Sequence, residues 1–438
     1  MEMIELSASQ FCDSVRDGTH DSPKPTEGHG RPLVTTKHMK SGRIILEDAY
    51  LISEADFEKI NQRSQVHQWD VLISMIGTLG ELVLVREEPT YAIKNIGLFK
   101  TKSKYDGLWL YYYLQSPPAK HYMHTSAQGS TQQYLSLKTL RGFPLSVPDS
   151  EADKRAVCEV LKTIDDKIEL NQKMNQTLEE IAKAIFKSWF VDFDPVRAKA
   201  EGRPTGLPPE ISDLFPDELV DSEIGEIPKG WSITPLPDAI DFLEGPGIRN
   251  WQYTNDESGI RFINIRCIKD GDLNLDSANR IAEEEALGKY AHFALKEDDI
   301  VVSTSGTLGR YGFVRSTHLP LNLNTSVIRF RPIKDKSTLH FLSGFVQTQL
   351  QWELETRASG SVQRNFGPMH LKQIELLLPP FPLLSAHQSL IEPFFRKRQT
   401  NLHEIEVLSE LRDTLLPKLI SGELRIPDAE KFLEEAGI

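Results

Sequence analysis

Two stretches of the 438-residue chain carry residue types from which a phosphate-binding loop could be built: SMIGTLG (Ser74–Gly80) and STSGTLG (Ser303–Gly309). Glycines there would offer backbone N–H groups to phosphate oxygens, but nucleotide binding also needs a following Lys-Ser/Thr pair. Glu81 and Arg310 follow instead, so neither stretch is a nucleotide loop. LPPF (Leu378–Phe381) has the Pro-Pro-aromatic order of an amino-group methyl-transfer motif. Leu378, however, stands where a polar residue must hold the target amine. In IPDAEK (Ile426–Lys431) the acidic Glu430 and Lys431 are adjacent, which forbids the carboxylate–lysine geometry of a nuclease centre. His20 and His29 share one loop and His121 and His124 another, with no cysteine near either pair to complete a zinc site. GTHDSPK (Gly18–Lys24) lacks the GxSxG elbow or separated partners of a hydrolase. No catalytic residue, metal site or bound cofactor is expected of this chain.

What remains is recognition chemistry. Two Gly-flexed polar segments, SAQGSTQQY (126–134) and RASGSVQRN (357–365), carry side chains suited to base edges. Gln and Asn can make paired hydrogen bonds to adenine, and Arg to guanine, in the major groove of double-stranded DNA. The candidates are Gln128, Ser130, Gln132 and Gln133 in the first segment, and Ser361, Gln363, Arg364 and Asn365 in the second. Phosphate contacts would come from Lys24, Arg31, Lys37, His38 and Lys40 in one half of the chain, and from Arg249, Arg266, Lys269, Arg310 and Arg357 in the other.

These residues recur because the chain is a repeat. At a constant offset of 229, Gly30 matches Gly259, Lys40 matches Lys269, Gly42 matches Gly271, Asp70 matches Asp299 and Asn95 matches Asn324. A gap-free offset with glycines and apolar positions in step marks a duplication. Within each half the signals are mostly β: DVLISMI-GTLG-ELVLV and DIVVSTS-GTLG-RYGFV each read as a hairpin about a Gly-bounded turn. Short helices are expected near 106–115 and 338–352. After each globule comes a long helical seam. The first contains Val157, Leu161, Ile164, Ile168, Leu178, Ile181 and Ile185, interrupted by Asn171 and Asn175; the second contains Leu402, Ile405, Leu408 and Leu415. Pro393 is expected to mark an early turn or kink. The two seams would pack on each other as an antiparallel coiled coil, or else each on its own globule.

The predicted fold class is α+β: two α/β recognition domains in pseudo-twofold repeat, separated by two long antiparallel coiled-coil helices. The predicted layout is domain 1 over 1–150, a central helix over 151–192, a Pro-rich linker over 193–230, domain 2 over 231–384, a distal helix over 385–422 and a polar tail over 423–438. The net charge of −13 does not exclude DNA, because residues 201–230 alone carry 2 basic and 8 acidic side chains. Domain 1 has 16 basic against 17 acidic residues and domain 2 has 16 against 18, so either can present a basic face. The three cysteines are far apart and fit buried positions in a reduced, cytoplasmic protein. No run is long and apolar enough to enter a membrane.

The ensemble of motifs resembles the specificity subunit of type I restriction–modification enzymes. The resemblance rests on the S-x-x-GTLG hairpins, the GS-x-Q segments, LNQKMNQTLEEIAKAIFKSWFVDFDPVRAK after the first half, SEIGEIPKGW opening the second, and LRDTLLPKLISGELRI near the end. It implies that each globule is a target recognition domain reading one half of a split, asymmetric DNA site. It implies helices that set the unread gap, and docking of two methyltransferase subunits and two restriction–translocation subunits. S-adenosylmethionine, ATP and Mg²⁺ would then belong to those partners. The rival readings are a duplicated protein–protein scaffold without DNA specificity, and an enzyme whose site has no recognisable motif.

Overall fold

The computed structural model describes residues 1–40, 42–129, 133–357 and 366–437. Two compact units form: Met1–Gln172 with His403–Ile438, and Lys173–Leu402. The architecture is mixed helix and sheet, as expected of an α+β chain. Among the described residues no helix is long and apolar enough to cross a membrane.

In the first unit a four-stranded antiparallel sheet runs in the order Ser14–Asp17, Ile96–Lys100, Val71–Ser74, Leu82–Leu84. Both of its faces are covered, which is why DVLISMI is an unbroken apolar run and not an alternation. Val71, Ile73, Leu82, Leu84 and Phe99 join one core with Trp109 and Tyr112. Leu72, Val83 and Leu98 point the other way, against Val34, Met39 and Ile93. The second unit repeats the plan with Ile240–Glu244, Val327–Pro332, Ile300–Ser303 and Tyr311–Phe313. Ile300, Val302, Phe313, Ile328 and Phe330 face one core, and Val301, Val314 and Val327 the other. Each repeated globule also closes its own start against its own end. Met3–Ser7 pairs with Pro144–Pro148, and Ser232–Pro235 with Glu375–Leu378. The first half thus has its own opening strand, Met3–Ser7.

The helices predicted after each sheet are Lys104–Gln115 and Leu339–Thr348. Ser103 and Thr338 cap them by accepting hydrogen bonds from the N–H groups of Asp106 and Phe341. Leu339–Thr348 carries Gly344 because a Cβ there would stand 2.0 Å from the Phe186 ring.

The central helix, Glu151–Phe190, and the distal helix, Phe381–Ile420, have 40 residues each. In the first unit Val157, Leu161, Ile164 and Ile168 pack in one cluster with Leu408, Leu415 and Leu419. Asp165 meets Arg412 at 3.0 Å and Asn171 meets Glu404 at 3.0 Å, so the two helices run antiparallel there. In the second unit Asn175 pairs with Asn401 at 2.9 Å and Glu179 with Arg398 at 2.6 Å, again antiparallel. Leu178, Ile185, Leu402 and Ile405 are half-buried.

Several expectations are corrected. Ile181 leaves the seam: it is exposed, because the middle of the helix pair is lined by Asn175, Asn401 and Arg398. Pro393 lies inside the distal helix, with its ring side exposed. The segment 193–230 is not a bare linker. It forms helices Asp194–Ala200 and Pro209–Ser212 and the hairpin Leu219–Ser222/Gly225–Pro228. Phe193, Val196, Phe215 and Trp231 enter the core of the second unit, so the prolines order the chain at element starts. The tail likewise contains a helix, Ile426–Glu435, whose Ala429 and Leu433 are buried in the first unit.

Candidate nucleic-acid interface

Each GTLG stretch is a turn, and its serine explains the longer S-x-x-GTLG signature. Ser74 donates its hydroxyl hydrogen to the Thr78 carbonyl and accepts from the Glu81 N–H at 2.8 Å. Ser303 repeats this on the Thr307 carbonyl at 2.6 Å and the Arg310 N–H at 3.0 Å. One side chain therefore satisfies two backbone groups that a loop of this length leaves unpaired. Gly77 and Gly80 have φ of 83° and 78°, and Gly306 and Gly309 have 67° and 79°, a region that favours glycine. Gly80 abuts the Met123 sulfur on helix Pro117–Ser126, and Gly309 abuts Gln351 and Leu354 on helix Leu350–Arg357. The turn is braced from below and open above: nothing lies within 4 Å of a Cβ built at Gly77.

The sheet register gathers further loops at the same end. In the first unit Asp17 lies opposite Gly97, Ile96 opposite Ser74, and Ile73 opposite Leu82. The loop after Asp17, the residues before Ile96 and the GTLG turn therefore emerge together. Asn95 N–H binds the Thr19 carbonyl at 3.2 Å. Leu135 N–H binds the Met75 carbonyl at 2.9 Å, which ties the end of the Gln-rich segment to the turn. In the second unit Glu244 lies opposite Ile328, Val327 opposite Ser303, and Val302 opposite Tyr311. A row of backbone bonds follows: Thr325 to Pro246 at 2.9 Å, Thr304 to Ser326 at 2.9 Å and Phe366 to Thr304 at 3.1 Å. The Leu135 and Phe366 tethers occupy the same place in the repeat.

The predicted base-reading residues fall on this end where they can be placed. Gln128 exchanges backbone hydrogen bonds with Tyr134 at 2.9 and 2.8 Å, and its Oε1 accepts from the Tyr134 hydroxyl at 3.1 Å. Gln128 and Gln133 are both exposed. Ser130, Gln132, Ser361, Gln363, Arg364 and Asn365 lie outside the described residues.

The basic residues divide into three groups. Lys24, Arg249 and Arg310 are exposed on the end itself. Lys37 and its counterpart Arg266 are exposed on 3-10 turns, and Lys40 and its counterpart Lys269 on the short hairpins that follow them. Gly42 N–H reaches Glu81 Oε1 at 3.3 Å in the first case; in the second Ile265 lies 3.2 Å from a Cβ at Gly306. Arg31 and Arg357 are already ion-paired, to Glu54 at 3.1 Å and to Glu353 at 2.5 Å. The Arg31–Glu54 pair is exposed and therefore weak and exchangeable, whereas Arg357–Glu353 is half-buried. His38 is a correction: it is buried, and its Nδ1 accepts from the Thr35 N–H at 2.8 Å, so it caps its own turn and faces no phosphate. His20 braces Asp17 and Asn95 at 3.0 and 2.8 Å, and His121 and His124 lie on a helix and not in a loop.

Three residues absent from the expectations stand out at the second unit's end. Trp251 is 79% exposed, Trp352 63% and Met369 70%. Nothing in the sequence distinguishes a tryptophan held out from one turned in.

The arrangement offers a polar and cationic contact surface. Burial pushes the Cys12 thiol up to about 12 and the Cys158 thiol higher still. Both remain neutral and unreactive.

Comparison with known proteins matches this chain to a family model described as type I restriction modification DNA specificity domain, over residues 10–180 and 228–406. The type I restriction enzyme MjaIX specificity subunit of Methanocaldococcus jannaschii is 28% identical over 323 residues, covering 73% of this chain and 69% of that protein. The HindI specificity subunit of Haemophilus influenzae is 27% identical over 344 residues, 69% of this chain and 73% of that one. The crystal structure of a type I restriction–modification S subunit from M. genitalium aligns over 95% of this chain and 96% of its own, with TM-score 0.56 and 13% identity. That last likeness is one of fold.

Proposed function

This chain belongs to the type I restriction–modification DNA specificity family, and from that membership we propose that it selects a split DNA sequence, each repeat reading one half-site. The observation that supports this reading is the doubled matched domain, each copy carrying its own sheet end with an S-x-x-GTLG turn, a tethered polar segment and exposed Lys or Arg. The chain itself contributes contacts and no chemistry, and its partners are double-stranded DNA, methyltransferase subunits and restriction–translocation subunits. S-adenosylmethionine, ATP and Mg²⁺ are assigned to those partners. Base flipping and adenine methylation fall to them as well.

The long helices act as the spacer between half-sites. Their outward faces carry apolar residues that suit docking of the methyltransferase subunits: Leu170 and Val407 in one unit, and Ile181 in the other, are 38–54% exposed. Near-neutral recognition domains are adequate for this task, since the partners' own basic surfaces add to the grip on phosphate.

The test is co-expression with the cognate methyltransferase, followed by mapping of modified adenines in host DNA. A bipartite motif methylated only when this chain is present is the expected result. Methylation unchanged on its deletion overturns the reading.

A further inference from the structure

The second recognition end differs from the first in a way the shared scaffold does not require. Helix Leu350–Arg357 repeats Pro117–Ser126 at an offset of 231, with Leu350 and Leu354 buried where Ala119 and Met123 are buried. At that offset the exposed Trp352 replaces an exposed His121, and the exposed Met369 replaces an exposed Lys138. The loop after the first edge strand, residues 18–26, carries His20 and Lys24 and no large apolar side chain. Its counterpart carries Trp251.

That counterpart is built to hold the indole out. Ile248 on one side is buried, and its N–H binds Asn324 Oδ1 at 3.1 Å. Gln252 on the other is buried too; its amide donates to the Tyr290 hydroxyl at 2.8 Å, and its Oε1 accepts from the Arg249 N–H at 3.1 Å. Between these anchors Asn250–Gln252 forms a 3-10 turn, so Arg249, Asn250 and Trp251 are presented on a fixed tip. Arg249 is exposed and has no acidic partner among the described residues. A tryptophan presented to water on an anchored turn is unusual, because its large apolar surface is normally covered.

We propose that Trp251 is an apolar wedge that the second recognition domain sets against a base step of its half-site, with Arg249 holding the adjacent phosphate. Apolar side chains inserted at base steps partly unstack them and draw more of the duplex onto the protein. The proposal rests on the split-site reading above and adds that the two half-sites are read by different chemistry. The first end uses cationic and amide groups, with Tyr134 40% exposed and its hydroxyl bound to Gln128; the second adds an indole that is 79% exposed. Fixing the loop before binding lowers the ordering cost of contact.

The experiment uses the full chain assembled with its methyltransferase partners and a duplex bearing the methylation-mapped site. Variant duplexes are scrambled in one half-site or carry 2-aminopurine in the second. Trp251→Ala is expected to weaken binding to the cognate duplex about tenfold or more. It should also abolish discrimination at the second half-site while leaving the first intact, with Trp251→Phe restoring much of both. The rise in 2-aminopurine fluorescence on wild-type binding should vanish in Trp251→Ala. Unchanged discrimination at the second half-site, or no fluorescence rise with the wild type, overturns the wedge. Loss of methyltransferase assembly in Trp251→Ala makes Trp251 a protein contact and also overturns it. A wild-type complex that prefers no duplex over its scrambled forms refutes the split-site reading itself.

Discussion

His387 sits on the distal helix with its ring 4.9 Å from Phe190, 5.6 Å from Trp189 and 6.2 Å from Phe186. Neither ring nitrogen has a hydrogen-bond partner among the described residues. Burial, helped by the nearby His340, lowers its pKa to about 3. The fold therefore favours the neutral ring. The stability tied to it is complete above the ordinary histidine pKa near 6.5 and drains away as pH falls from there toward 3. A shift of this size is worth a few kcal/mol, on the order of 1.4 per pKa unit. His387→Leu should raise Tm at pH 7.5 by removing two unsatisfied nitrogens, and should flatten the decline in Tm between pH 7 and 5. Parallel Tm-versus-pH curves for wild type and variant would contradict this. At this scale the sequence was a partial guide. The glycines and serine of each turn announced themselves by recurrence, and the basic residues by type. His38 was misjudged because a histidine that caps a turn and one that meets a phosphate look alike until burial is known. Trp251 went unnoticed for the converse reason.

The long helices show the same limit one level up. Their ends were legible, because Val157, Leu161, Ile164 and Leu415 recur at three and four residues and are fully buried. Their middle was not, since polar residues replace the apolar period there. Asn175 and Asn401 are buried and share a hydrogen bond of 2.9 Å. Such a pair costs stability relative to leucines but fixes helix register, because a slip leaves both amides unpaired. Asn401→Leu alone should destabilise by about 1–3 kcal/mol by stranding Asn175. The double change Asn175→Leu/Asn401→Leu should recover most of that loss. Urea unfolding of the three variants, read as a double-mutant cycle, measures the coupling, and additive losses would show that the pair is not a lock. Proline misled for a related reason: Pro393 removes one N–H, yet on an exposed helix face that deficit and the ring are both tolerable. The prolines of 193–230 suggest a linker, yet Pro195 and Pro209 sit in the first turns of two short helices.

For the molecule as a whole, duplication was the most legible fact, since a constant offset needs no structure to detect. Which loops share a sheet end was hidden, because it depends on register between strands eighty residues or more apart in sequence, such as Asp17 with Gly97 and Glu244 with Ile328. If the helices set the unread gap, a matched heptad added to both should lengthen the pair by about 10 Å. At 3.4 Å per base pair that widens the gap by about three base pairs, which sequencing of methylated sites would reveal; an unaltered gap would refute the spacer role. The composition of the units carries a consequence for biosynthesis. Met1–Gln172 is completed only by His403–Ile438, after the 230 intervening residues Lys173–Leu402 have been made. At roughly 5–20 residues per second, a nascent first unit waits about 10–50 s for its closing helix. Through that interval Val157, Leu161, Ile164 and Ile168 lack the Leu408, Leu415 and Leu419 that cover them in the finished fold. The waiting surface is one that a chaperone, or the distal helix of a neighbouring chain on the same messenger, would find first.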